Sequence, residues 1–118
     1  MTMLLERAGA ALGEEPTNPV VKLTIVEGCG VGQSWELSGP MSSIGRGWKN
    51  NVVLDFGDQT VHRDHHAALE IDGRTFRVHD VRRGNPVLVN GEVVDRPREV
   101  TLGDRICVGL TTLRLDPV

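Results

Sequence analysis

The sequence predicts an all-β fold: a two-sheet antiparallel β-sandwich of about eleven short strands. Three observations predict it. Apolar and polar residues alternate over runs of about four to eight residues, the period of a half-buried strand. The runs are broken at close intervals by turn residues, among 14 Gly and 6 Pro in 118 residues. Beyond the first residues, no stretch of useful length carries a helical period. A chain of this length builds one core rather than two.

Taken in order, MTMLLERAGAALG could wind two turns of helix, but EEPTNP stops it, and a lone short helix is marginal in water. We therefore expect residues 1–18 to be a flexible N-terminal tail and residues 19–118 to be the sandwich. VVKLTIVEG alternates, with Val21, Leu23 and Ile25 on one face, and GCGVGQ turns it into SWEL. SGP separates SWEL from SSIGR, and NVVLD follows. AALEID and TFRVHD flank Asp72-Gly73, a strong hairpin signal, and their charges read as solvated strand faces. PVLVN and EVV flank Asn90-Gly91. The chain closes with EVTL, Gly103-Asp104, RICVG and TTLRLD.

Composition excludes several classes. Thirteen Lys+Arg against sixteen Asp+Glu leave a formal charge of −3, so there is no basic surplus to hold nucleic acid. Aromatics are 3% with no Tyr, which removes base-stacking platforms. The apolar runs are far too short to span a bilayer, and the opening stretch is too short and too acidic for a secretory signal. Cys29 and Cys107 form no CxxC pair, and Cys107, in RICVGL, reads as a small buried hydrophobe. A reducing, cytoplasmic compartment is expected.

Three segments are too polar and irregular for a core: 45–51, 57–66 and 81–85. They hold Arg46, Lys49, Arg63, Arg82, Arg83 and three of the four histidines. Clustered at one end of the sandwich, they would make a small basic patch on an acidic protein, suited to a single anion rather than a polyanion.

The blocks SSIGRG, NNVVLD, TVHRDHHAAL, HDVRRGNPVLVNGE and LGDRICVG stand in the order and approximate spacing of a forkhead-associated (FHA) domain. From about residue 20 to 116 the chain resembles a divergent, bacterial-type member of that family. The resemblance implies an eleven-stranded sandwich that binds phosphothreonine peptides through loops at one end, with no cofactor, no metal and no catalysis. It implies that Arg46, following Gly45, contacts the phosphate; a planar guanidinium meets two phosphate oxygens at once. The plainer alternative is an ion pair between Arg46 and Asp58. The family's phosphate-binding serine falls on His62, and the basic residue after it on Arg63. Imidazole can donate to phosphate and adds charge when protonated, giving pH-sensitive binding; alternatively His62 fills space and phosphate recognition is lost. His66 matches a buried histidine that ties loops together, with solvent-facing His65 beside it. Asn85 matches the asparagine that holds the ligand backbone. Arg83 replaces the serine before it, and Pro86-Val87 replaces Gly-Thr, so this loop must differ locally. Asn90 and Gly91 match a structural turn.

The implied partner is a phosphothreonine-containing protein or peptide, with a Ser/Thr kinase or its substrates behind it, and neither nucleic acid nor membrane. A second reading is a phosphate-independent docking module in a bacterial secretion or regulatory complex. A remote third is a metal site in His62–His66, although adjacent residues of an extended segment point apart. Thr17, between two prolines, is either a linker residue or a phosphorylation site that folds back into the domain's own pocket.

Overall fold

The computed structural model describes residues 18–82 and 84–118. Among the described residues, eleven strands form two sheets: β1 (Val21–Glu27), β2 (Ser34–Leu37), β3 (Met41–Gly45), β4 (Val52–Val53), β5 (Ala67–Asp72), β6 (Thr75–Asp80), β7 (Leu88–Val89), β8 (Glu92–Val93), β9 (Arg98–Val100), β10 (Arg105–Val108) and β11 (Thr111–Pro117). One sheet runs β2-β1-β11-β10-β7-β8 and the other β4-β3-β5-β6-β9. Thr17 and the rest of the expected tail lie outside the described residues, as does Arg83.

Strand alternation fills the space between the sheets. In β1, Val21, Leu23 and Ile25 are buried while Lys22 and Thr24 are only partly covered, and β11 repeats the pattern with Thr111, Leu113 and Leu115. These strands pair Leu23 with Leu115 and Ile25 with Leu113, so four large side chains leave one sheet side by side. Ile44, Leu69, Ile71 and Val78 line the core from the second sheet. Each buried side chain of this size contributes about 1.5–3 kcal/mol of transfer free energy.

Four details depart from the sequence reading. The β3–β4 pair is parallel, Ile44 opposite Val52 and Gly45 opposite Val53. The β5–β6 turn is Gly73-Arg74 rather than Asp72-Gly73, since Asp72 already pairs with Thr75. Cys107 is half-buried, not a core residue; in β10 the inward positions are Ile106 and Val108, and the Cys107 thiol donates to the Gly109 carbonyl. The strand charges are paired rather than simply solvated: Glu70 lies 2.9 Å from His79 and 3.5 Å from Arg77 across the β5–β6 face.

Asn90 and Gly91 form the β7–β8 turn with φ of 50° and 85°, the double left-handed geometry of a two-residue hairpin. The Asn90 side chain accepts from the Arg105 amide and donates to Asp104, so the turn is tied to β10. At the other boundary, Asn18 donates to the Ser38 and Ile71 carbonyls and accepts from the Gly73 amide.

Candidate functional site

Three loops meet at one end of the sandwich: β3–β4, β4–β5 and β6–β7. The first two are laced by main-chain bonds in which His66 donates to Ile44, Arg46 to His62 and Gly47 to Arg63. This lacing needs Gly45, which is buried; a Cβ there would run into the Asp64 carbonyl and come within 2.7 Å of the Asn50 amide. Gly45→Ala should therefore destabilise the domain by about 1–3 kcal/mol through overpacking against backbone, read as a lowered midpoint in urea unfolding.

Arg46 is half-buried, and its Nε donates to the Val61 carbonyl at 3.0 Å. That bond fixes the plane of the guanidinium and leaves its two terminal nitrogens for another acceptor. Among the described residues no carboxylate forms an ion pair with Arg46. The alternative partner, Asp58, is fully engaged elsewhere: it accepts from the Thr60 amide and hydroxyl, the Leu110 amide at 2.9 Å and the Thr111 hydroxyl at 2.7 Å. Burial acts to raise the Asp58 pKa, but these bonds together outweigh it and hold the carboxyl below its usual range.

The histidines have separate tasks. His66 is wholly buried; its Nδ1 accepts from the His62 amide at 2.8 Å, so its Nε2 carries the proton and donates to the Asn85 carbonyl at 2.7 Å. One neutral ring thus ties the β4–β5 loop to the β6–β7 loop. His62 is half-buried, and its Nδ1 accepts from the Asp64 amide at 3.1 Å. With Nδ1 accepting, Nε2 is the ring nitrogen left to donate. His65 is exposed but not idle, with Nδ1 2.9 Å from the Asn50 side-chain oxygen. The three rings thus serve three different partners, and among the described residues no three His, Cys, Asp or Glu side chains converge on a metal-sized site.

Asn85 is exposed and spends its amide nitrogen on the Thr60 carbonyl at 3.2 Å, leaving the side-chain oxygen as an acceptor. The loop around Pro86 is closed by Asp80, which accepts from the Arg82 and Val87 amides, and Val87 is buried. Arg82 does not join the basic patch. It adopts φ of 64°, and its guanidinium donates to the Asp95 carbonyl on the β8–β9 connection.

The structure thus brings Arg46, His62, Arg63 and Asn85 to one end, supported by Gly45 and His66, with Asn90 and Gly91 in a separate hairpin. Arg46 and Arg63 share a cavity of about 520 Å³ with Trp48, Asp55, Gly57 and Gln59. Trp48 and Asp58 were not among the expected site residues. Trp48 is 80% exposed, and its signal was a lone tryptophan among polar residues beside Gly-Arg. Asp58-x-Thr60 carried an Asx-turn signature, an aspartate accepting from the amide two residues on.

The architecture is that of an FHA-type domain. A domain solved in a study of phosphothreonine-dependent FHA domain interactions is 25% identical, with 84% of this chain and 97% of that chain covered at a TM-score of 0.73. Mycobacterium tuberculosis EmbR, solved with a low-affinity phosphopeptide, is 26% identical at a TM-score of 0.73; 83% of this chain is covered but only 24% of EmbR. The FhaA FHA domain, solved with the intracellular domain of Rv3910, is 26% identical, with 80% and 98% covered at a TM-score of 0.70. The family described as the inner membrane component of T3SS, cytoplasmic domain, matches residues 24–118, and the chain belongs to it. No curated protein sequence matches the chain. Among the described residues, no helix is long and apolar enough to cross a membrane.

Proposed function

We propose that this domain is a phosphothreonine-reading interaction module, acting by binding rather than catalysis, on the cytoplasmic side of an assembly. The observation that carries the reading is the Arg46 guanidinium, oriented by the Val61 carbonyl and open at its terminal nitrogens. It shares its cavity with Arg63, whose charge favours an anion there. His62 offers Nε2–H as a donor, the same service a serine hydroxyl would give. Asn85 would accept from a ligand amide with its free side-chain oxygen. The phosphopeptide bound to EmbR supports the reading. The partner is then a phosphothreonine-containing protein or peptide made by a Ser/Thr kinase.

A second reading, phosphate-independent docking inside a secretion assembly, is favoured by the family match and by histidine in place of the family's serine. Calorimetric titration with a degenerate phosphothreonine peptide pool and its unphosphorylated counterpart separates the two. We expect binding of the phosphorylated pool alone; equal binding of both pools would establish docking. Within the first reading, His62→Ala should weaken binding about 5- to 10-fold, the loss of one charge-assisted hydrogen bond at a partly open site. His62→Ser should recover most of that loss.

A further inference from the structure

The β6–β7 loop carries Asn85 and is tied at both ends by one carboxylate. Asp80 accepts from the Arg82 amide with one oxygen and from the Val87 amide with the other. Val94 donates to the Val87 carbonyl, and the Arg82 guanidinium donates to the carbonyl of Asp95, the residue after Val94. The circuit from Asp80 through Val87, Val94, Asp95 and Arg82 thus closes on itself, with Asn85 on the span between Arg82 and Val87. Arg82 enters it with φ of 64°, a left-handed backbone that few residues other than glycine, asparagine and aspartate adopt. Such an outlier persists where its surroundings hold it. Close packing does not supply the hold. Cavities of about 220 and 260 Å³ are both lined by Asp80, Arg82 and Asp95, so open space borders the Arg82–Asp95 contact. From the β4–β5 loop, His66 donates to the Asn85 main-chain carbonyl and Thr60 receives its side-chain amide. Gly84 lies against the His66 ring, where a Cβ would come within 3.1 Å.

We propose that Arg82 is a positioning residue for the binding loop: its tie to the Asp95 carbonyl sets where Asn85 presents its free side-chain oxygen. The inference rests on the phosphothreonine reading above, in which that oxygen meets the ligand backbone. Asn85 hangs between two anchors, His66 and Thr60 on one side and the Arg82–Asp95 contact on the other. Releasing the second anchor leaves the loop pivoting on Asp80, and the oxygen no longer holds one place. A guanidinium suits the task, because it reaches a carbonyl on the neighbouring connection and stays charged at every working pH. Arg82 acts without touching the ligand, since other residues line the Arg46 cavity.

The test uses the full chain and two variants whose new residues accept a left-handed backbone, Arg82→Gly and Arg82→Asn. Both lose the guanidinium, and only the first gains the flexibility of glycine. Each should weaken binding of a phosphothreonine peptide about 3- to 10-fold in calorimetric titration, the worth of one hydrogen bond. Arg96→Ala removes an equal charge from the same groove and should stay within about twofold of wild type. In an Asn85→Ala background, Arg82→Gly should weaken binding by less than about twofold more, because its effect passes through Asn85. Two readouts need no ligand. The Val87 amide should exchange about 3- to 10-fold faster in both variants, and the Asn85 side-chain amide signal should shift. Undiminished affinity in either variant, an equal loss in Arg96→Ala, or a loss that adds in full to that of Asn85→Ala overturns the positioning role and leaves the phosphothreonine reading standing. If no phosphopeptide binds wild type, that reading falls, and the Val87 and Asn85 signals alone decide whether Arg82 places the loop.

Discussion

Arg46→Ala should lower affinity for a phosphothreonine peptide by about 30- to 1,000-fold, the equivalent of about 2–4 kcal/mol for a charge-assisted pair whose other member is left desolvated. The effect should exceed that of His62→Ala because two terminal nitrogens of Arg46 are lost, against one Nε2–H of His62. Fold stability should change little. Arg46 contributes one hydrogen bond, Nε to the Val61 carbonyl, worth about 1 kcal/mol. The melting temperature should then fall by about 4–8 °C at most in a domain of this size. Calorimetry and a thermal melt on the same sample check both halves. Undiminished phosphopeptide binding by Arg46→Ala would exclude the Arg46 cavity as the phosphate site.

Asp58→Ala should have the opposite profile, destabilising the whole domain by about 3–5 kcal/mol. It strands the Thr60 and Leu110 amides and the Thr111 hydroxyl in a site where Asp58 is only 6% exposed. Each unsatisfied buried group costs about 1–3 kcal/mol, partly offset because Leu110 also reaches the Thr60 hydroxyl. Set against the 5–15 kcal/mol that ordinarily holds a domain, this is a large fraction. Urea unfolding at neutral pH measures it, and a change under about 1 kcal/mol would mean that water replaces the carboxylate. The acid limb should change too. The folded Asp58 carboxyl titrates below its unfolded value, so its contribution is complete well above pH 4 and is lost as pH falls through the folded pKa. Asp116, held low chiefly by its hydrogen bond from Arg114, acts in the same window. Asp58→Ala should therefore lose stability less steeply than wild type below about pH 4.

The two variants also divide the site into what contacts a ligand and what holds the contacts. Asp58 braces the turn whose Thr60 carbonyl receives Asn85 and whose Val61 carbonyl receives Arg46. A partly unfolded Asp58→Ala protein would lose binding through misplacement rather than through lost charge.

The sandwich was legible in the chain because alternation is local. Val21, Leu23, Ile25 and Leu113, Leu115 announce an inward face whatever they pack against, and Asn90-Gly91 announces its turn because few other residue pairs tolerate its dihedrals. The loop residues Arg46, His62, Arg63 and Asn85 were legible only through ordered motif blocks, since nothing about a lone arginine or histidine in a polar loop gives its neighbours. Arg82 and Arg46 look alike in sequence, yet one donates to Asp95 and the other faces the cavity. Cys107 was misplaced because a run of apolar neighbours does not say which alternate positions face inward. Asp58 was named only as a rival partner for Arg46, and its actual partners, Thr60, Leu110 and Thr111, lie as far along the chain as Thr111.

The sequence by itself determined the fold class and the strand count, because these depend on period and turn chemistry. Tertiary structure alone decided which ring nitrogen of His62 and of His66 is left to donate, and which arginine keeps an open edge. Those outcomes depend on acceptors contributed by residues far along the chain. A hydrogen bond is settled by tenths of an ångström between loops, and no local pattern encodes that distance.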